Sequence, residues 1–135
     1  MDQLTRAVVE PKNPALNASR NLNLPHSPGI RAGDFIFISG MVSVDPETGE
    51  HSLGTVASET RQILSNMAHL LESAGSSLQR VVKVNVFIYD MLELANMNRV
   101  FAEFFPDEPP ARTVCGVQLS FGFKVEIECI ALAGH

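Results

Sequence analysis

Arg112 stands in a setting that suits the recognition of a carboxylate. It follows Pro109, Pro110 and Ala111, so a rigid lead-in fixes the direction of the side chain where a strand begins. The guanidinium is a planar fork of five N–H donors that matches the two oxygens of a carboxylate. The alternative is a surface arginine in a solvent-exposed ion pair. The residues alone favour that alternative at about 65%, because such pairs are common and weak.

Glu126 and Glu128 offer a candidate general base. They fall two residues apart on one predicted strand, which places both carboxylates on the same face, roughly 7 Å apart. At that distance each carboxylate shifts the pKa of the other, and a carboxylate in a cleft acts as a base or orients a water. The alternative is a solvated strand face on which Lys124 pairs with a glutamate, favoured about two to one on pattern alone.

Ser39 and Gly40 end a short apolar run, Phe35–Ile38. No GxSxG motif or Ser/His/Asp grouping surrounds Ser39, so a nucleophilic role is not supported. A glycine at this point lets a ligand approach the backbone while Ser39 donates a hydrogen bond. The alternative is a simple β-bulge.

The histidines and cysteines do not predict a metal site. The four histidines are scattered, and only His26, within Leu-Pro-His-Ser-Pro-Gly, has the surroundings of an ordered loop. The two cysteines, Cys115 and Cys129, lack ligand spacing and are interpreted as buried small apolar residues. No phosphate loop, dinucleotide fingerprint or cofactor-binding lysine motif is present, so any chemistry relies on side chains and water.

Hydrophobic periodicity predicts the elements that position these residues. Prolines and asparagines in residues 1–32 predict an extended arm, 1–24 in particular, with one short edge strand and no helix. The predicted elements after the arm are a buried strand Phe35–Ile38, a turn at 45–49, a helix Ala57–Ala74 closed by Gly75, a strand Arg80–Asp90, a helix Leu92–Phe105, and strands Arg112–Leu119 and Phe123–Ala131 joined as a hairpin through Ser120-Phe121-Gly122.

This order predicts an α+β fold with two helices on one face of a mixed sheet. In the strand Arg80–Asp90, Val82, Val84, Val86 and Ile88 are predicted to face the helices. Asn85, Phe87 and Tyr89 then lie on the other face, which is too apolar to be wet throughout and indicates a subunit interface.

Length and charge narrow the classes of protein. The chain of 135 residues has the usual size of one domain. Its net charge of −5 with scattered basic residues disfavours nucleic-acid binding, which rewards clustered positive charge. No segment reaches the roughly eighteen apolar residues of a membrane helix, and no signal peptide is evident. With only two cysteines, a soluble, cytoplasmic location is expected.

Five segments, taken in order, resemble one known family, the RidA/YjgF (L-PSP endoribonuclease-like) family. The match covers roughly residues 25–133. The segments are Gly33–Gly40 for the motif G-[ND]-hydrophobic run-[TS]-S-G-Q, Asp45–Gly49 for P-x-T-G, Met97–Phe105 for V-N-x-x-Y-x-x-F-F, Pro110–Thr113 for P-A-R-[ST], and Val125–Ala131 for [IV]-E-I-E-[AC]-[IV]-A.

The resemblance implies a chorismate-mutase-like fold and a homotrimer with a barrel-like centre and sites between subunits. It also implies cofactor-independent hydrolysis of 2-aminoacrylate-type enamines or their imine tautomers to 2-keto acids and ammonia. By the same resemblance, Arg112 pairs with the substrate carboxylate and Glu126 orients the attacking water. Ser39, Gly40 and Asn98 line the pocket, with the backbone near Val114 as a further donor.

The chain departs from the family pattern in three ways. The connection Cys115–Phe123 is about one residue short, His26 and Met41 stand where tyrosine and glutamine are frequent, and Cys115 lies one position later than the cysteine of some members.

Three alternatives stay open. His26, which is counted among the substrate-binding residues, and the short connection favour a pocket for a larger unsaturated amino acid of the aminomuconate type. The chain is otherwise a non-enzymatic trimer that binds small carboxylates, or it has the ribonuclease activity of the family's older name, which its charge disfavours.

Overall fold

One six-stranded sheet and two long helices form the fold. The computed structural model describes residues 5–134. The strands are β1 Arg6–Val8, β2 Gly29–Ala32, β3 Phe35–Met41, β4 Val81–Ile88, β5 Ala111–Gly116 and β6 Val125–Leu132. The helices are α1 Ala18–Asn21, α2 Val56–Ser73 and α3 Leu94–Phe104. The architecture is α+β, as the element order predicts.

The strands lie in the order β1-β2-β3-β6-β4-β5. Only β4 and β5 run parallel. The predicted hairpin between the last two strands is therefore wrong, because β4 lies between them. The side chains of β6 that face the helices are all buried, and an interior strand buries them while both of its neighbours satisfy its backbone.

Helices α2 and α3 pack on one face of the sheet. The prediction for α2 is confirmed to within one residue at each end. Thr55 and Ser58 form a capping box at its start, and Gly75, with φ +78°, follows its end. Helix α3 is shorter than predicted because a 3₁₀ turn, Met91–Glu93, takes its first residues. No helix within residues 5–134 is long and apolar enough to cross a membrane.

The arm contains more regular structure than predicted. Strand β1 pairs with β2, and a 3₁₀ turn Pro14–Leu16 leads into the short helix α1. The prediction of no helix is wrong because these elements begin at caps. The Asn13 side chain accepts from Ala15 N–H, Pro14 opens the turn, and the Asn17 side chain accepts from Arg20 N–H.

Three side-chain predictions on the strands are also wrong. Strand β3 is buried on one face only, since Phe35 and Phe37 are 42% and 44% exposed. Val82 is exposed rather than buried, because the register of β4 against β6 shifts between Val81 and Lys83 and turns Val81 inward. Cys115 is exposed on β5, whereas Cys129 is buried as predicted.

The face of the sheet away from the helices is termed the open face. Cross-strand pairing places Phe35 beside Leu132 and Phe37 beside Ile130, so these four apolar side chains form a patch there. Further along β6, the same face carries Glu128 and Glu126. The predicted apolar face is therefore present, and its apolar centre lies on β3 and β6 as well as on β4.

Candidate active site

Glu126 lies near the start of β6, on the open face and opposite Phe87 of β4. Its other neighbour is Gly40, which falls where the register between β3 and β6 shifts between Ile38 and Met41. A Cβ atom on Gly40 would overlap Oε2 of Glu126. The bulge interpretation of Ser39-Gly40 is thus correct, and the missing side chain of Gly40 gives the Glu126 carboxylate its space.

Burial raises the pKa of Glu126 above the ordinary value of 4.5. The negative charge of Glu128 raises this pKa further, and the charge of His26 opposes the rise. No hydrogen bond to the Glu126 carboxylate is made within residues 5–134, whereas Asn85 Nδ2 donates to Glu128 Oε2 at 3.0 Å. Of the two carboxylates, Glu126 is therefore the one with neither oxygen engaged by a described protein group, which suits a base or a group that orients a water.

The Lys/Glu surface pair that competed with a catalytic role is not formed on this strand face. Lys124 instead directs its ammonium at Glu59 of α2, with Nζ 3.7 Å from Oε2. Neither Glu126 nor Glu128 is within ion-pair distance of a cation in the part of the chain that the structure describes.

His26 and Ser39 lie close to Gly40, where they line a small cavity of about 70 Å³. The Ser39 hydroxyl donates to the carbonyl of Ser27 at 2.6 Å, and Ser39 N–H donates to the carbonyl of Pro28. Both donors of Ser39 thus hold the loop that carries His26. The hydroxyl oxygen retains only its capacity to accept.

Arg112 lies on β5 in register with Val84, a residue buried beneath the helices, so its side chain is on the helix face. The guanidinium packs over the ring of Phe101 in α3, with Cζ 4.8 Å from the ring centroid. Its Nη1 is 3.9 Å from Sδ of Met97. No carboxylate among residues 5–134 forms an ion pair with Arg112, so the surface ion pair that competed with a binding role is not formed.

Val114 lies on the strand that carries Arg112, and Asn98 lies on the helix that Arg112 contacts. Val114 is two residues along β5 on the same face, partly buried against the core. Because Val117 N–H donates to Ile88 of β4, regular alternation directs the N–H of Val114 to the free edge of the sheet. Asn98 is exposed on α3, one turn before Phe101.

The predicted site residues therefore form two groups. The Glu126 group comprises Glu126, Gly40, Ser39 and His26, and the Arg112 group comprises Arg112, Val114 and Asn98. Arg112 is in register with Val84 and Glu126 with Phe87. Across β4 this corresponds to about 10 Å along the strand and about 9.5 Å between strands. The two side chains also project from opposite faces, so one chain does not bring them to a single ligand.

No other described feature suggests a cofactor site. A cavity of about 860 Å³ lies beside Tyr89, Gly116 and the start of α2, and none of the predicted site residues lines it. No cluster of three or more metal-ligating side chains occurs in residues 5–134.

Two residues near the Glu126 group were not predicted. Buried Glu59 bonds the backbone of Lys124, and the ring of His51 packs on Phe121 and Phe123 at centroid distances of 5.6 and 4.8 Å. Together they fix the short connection before β6. Glu59 carries a sequence signal, because it lies four residues before Ile63 and so on the apolar stripe of α2. His51 and the two phenylalanines carry none.

Comparison with known proteins decides the family. The family model described as Endoribonuclease L-PSP matches residues 18–133, which is most of the chain. The chain belongs to the RidA/YjgF family. A RutC family protein of Pyrococcus horikoshii is 45% identical over 108 residues, covering 79% of this chain and 86% of that protein.

Two further members of the RidA/YjgF family connect the chain to a named activity and a solved fold. The mouse protein named 2-iminobutanoate/2-iminopropanoate deaminase is 36% identical over 111 residues, which is 82% of each chain. The crystal structure of the YjgF gene product of E. coli superposes with a TM-score of 0.83 at 32% identity, covering 93% of this chain and 98% of that one. The chain is thus of the Rid type, with deaminases among its relatives.

Proposed function

We propose that this protein is a cofactor-independent deaminase that hydrolyses 2-aminoacrylate-type enamines, through their imine tautomers, to 2-keto acids and ammonia. We further propose that it acts as a homotrimer in which each site takes Arg112 from one copy and Glu126 from the next. The observation that carries the proposal is the state of Arg112, which is partly buried, oriented by Phe101, and without a carboxylate partner among the described residues.

Arg112 supplies the binding step. A guanidinium stacked on a ring keeps its donor edge free, and two parallel N–H bonds to a carboxylate fix both the position and the orientation of the substrate. The N–H of Val114 at the free edge adds a neutral donor on the same side. A small 2-imino acid carries its reacting carbon next to the carboxylate, so this clamp also places the carbon that water attacks.

Glu126 supplies the proton transfers. Its ionised carboxylate accepts a proton from water as the water oxygen bonds to the imine carbon, and it passes this proton to the imine nitrogen, which yields a neutral tetrahedral amino alcohol. The same carboxylate then takes the hydroxyl proton and delivers it to the amino nitrogen, so that the C–N bond breaks and ammonia leaves as the carbonyl forms. The raised pKa suits this double role, because a group that titrates closer to the working pH is both a usable base and a usable acid.

The separation of the two groups supports completion of the site by a second copy. Arg112 and Glu126 project from opposite faces of the sheet in one chain. The open face presents the apolar patch of Phe35, Phe37, Ile130 and Leu132, and β5 leaves one edge unpaired. Apolar patches and unpaired edges of this kind are buried in assemblies.

Substitution of Arg112 tests the activity. Loss of two charge-assisted hydrogen bonds, each worth about 1.5 to 3 kcal/mol, predicts a fall in kcat/KM of about 10² to 10⁴ for Arg112→Ala. Ammonia release from enzymatically generated iminopyruvate measures it. Arg61→Ala is the matched control, because Arg61 makes an exposed ion pair with Glu103. Normal ammonia release by Arg112→Ala would contradict the proposal.

Further assays separate the alternative functions. A panel that includes an aminomuconate-type substrate identifies a larger pocket if that substrate is turned over faster. Calorimetric binding of a 2-keto acid that depends on Arg112, with no turnover of any substrate, indicates a carboxylate-binding regulator. Cleavage of RNA that weakens steeply with added salt would support the ribonuclease activity named in the family description.

The cellular location stays a prediction. Two relatives in Schizosaccharomyces pombe are named as mitochondrial and one in Arabidopsis thaliana as chloroplastic, so relatives of this chain are named for more than one compartment.

A further inference from the structure

Glu59 is a buried carboxylate outside the predicted site. It lies in the first turn of α2, and 1% of its surface is exposed. Burying an ionisable group without partners is strongly unfavourable, so its contacts show what its burial achieves. Gly54 N–H donates to Oε2 at 3.0 Å, and Lys124 N–H donates to Oε1 at 2.9 Å. The ammonium of Lys124 lies 3.7 Å from Oε2.

These contacts converge on the peptide that precedes β6. The N–H of Lys124 is held by Glu59, and its carbonyl accepts from Tyr89 N–H at 3.0 Å. The backbone of Lys124 is thus fixed from the helix side by α2 and from the sheet side by the residue that follows β4. Glu126 is two residues further on, and the connection before Lys124 is the one that is short in this chain.

We propose that Glu59 is a positioning residue that holds the start of β6 so that the Glu126 carboxylate keeps its place against Gly40. This inference rests on the proposed deaminase function and extends it to a residue that touches no substrate. Glu126 fits only where Gly40 leaves room for it, so a small displacement of β6 moves the carboxylate out of this space. Displacements of about 1 Å are enough to slow catalysis about 100-fold.

Glu59→Ala removes both acceptors and tests the proposal. We expect kcat to fall about tenfold or more while KM changes less than about twofold, since Arg112 lies on other elements. The amide of Lys124 should exchange with solvent faster. Glu103→Ala is the matched control, because it removes a glutamate from an exposed ion pair with α2, and we expect kcat to be unchanged.

Glu59→Gln and Glu59→Asp complete the series and remain informative if the alanine variant does not fold. Glutamine keeps the length but only one acceptor, and aspartate keeps both oxygens but is one methylene shorter. The proposal expects kcat to follow the protection of the Lys124 amide across the series. Faster exchange of that amide with unchanged kcat, or a loss of kcat with the amide still protected, would overturn it.

A titration of the Glu126 carboxyl by NMR separates failure of this inference from failure of the deaminase function. Loosening of β6 admits water, so the pKa of Glu126 should fall towards its ordinary value in Glu59→Ala. This titration does not depend on turnover. A wild-type protein that releases no ammonia contradicts the proposed function, whereas an unchanged Glu126 titration in Glu59→Ala contradicts the role of Glu59.

Discussion

The two halves of the site are built in different ways. Glu126 lies on an interior strand, with Gly40 on one side, Phe87 on the other, and Glu59 fixing the peptide before it. Arg112 lies on the edge strand and is oriented by side chains of α3, with one side of its strand unpaired. The proposed proton-transfer half is thus fixed from several sides within one chain. The proposed binding half lies at the edge of the sheet, which is where we propose that a second copy meets it.

A side chain at position 40 is expected to displace the Glu126 carboxylate. A methyl group in Gly40→Ala overlaps Oε2 of Glu126, and the displaced carboxylate predicts a fall in kcat of about 100-fold with little change in KM. Steady-state kinetics measure the split. Shortening the acid in the double variant Gly40→Ala/Glu126→Asp should recover part of kcat. An alanine variant with full kcat would show that Glu126 does not need this space.

Removal of the aromatic ring that contacts Arg112 is expected to weaken substrate binding. Phe101→Leu keeps an apolar side chain but removes the π face, a contact worth about 0.5 to 1 kcal/mol, so KM should rise about two- to fivefold with kcat unchanged. Phe105→Leu is the matched control, because Phe105 packs on Phe101 at 4.6 Å in the same aromatic pair. Equal effects of the two variants would assign the change to core packing.

The pH dependence should respond only to the Glu126 half. Because the proposed mechanism requires an ionised Glu126, activity is expected to fall as the pH drops through the pKa of this carboxyl, which burial and, to a lesser degree, the charge of Glu128 hold above 4.5. Glu128→Gln removes a negative charge, lowers this pKa and moves the acidic limb of kcat to lower pH. His26→Gln removes an opposing charge and moves the limb to higher pH. Shifts of the same sign would contradict this electrostatic account.

Local sequence patterns predicted most of the helices and strands, but they predicted less of which strands pair with each other. The alternation along β6 and the stripe of α2 repeat within a few residues, so the common face of Glu126 and Glu128 and the ends of α2 followed from the sequence. The partner of β5 depends on contacts between distant segments, and the hairpin prediction failed for that reason.

Helix α1 was missed for a local reason. Helix α1 has only four residues and depends on its asparagine caps, which outweigh the prolines around it. The motifs located Arg112 and Glu126 individually. Their placement on opposite faces of one chain required the strand order, since β4 separates the strands that carry them.

Mixing two inactive variants tests most directly whether the site is shared between copies. Arg112→Ala and Glu126→Gln are expected to be inactive alone, and each mixed trimer contains one interface with an intact Arg112 and an intact Glu126. Refolding them together at equal concentration should restore about a quarter of the wild-type rate of ammonia release, because about three quarters of the trimers are mixed and a third of their sites are intact. No recovery, with mixed trimers confirmed by mass spectrometry, would contradict the account.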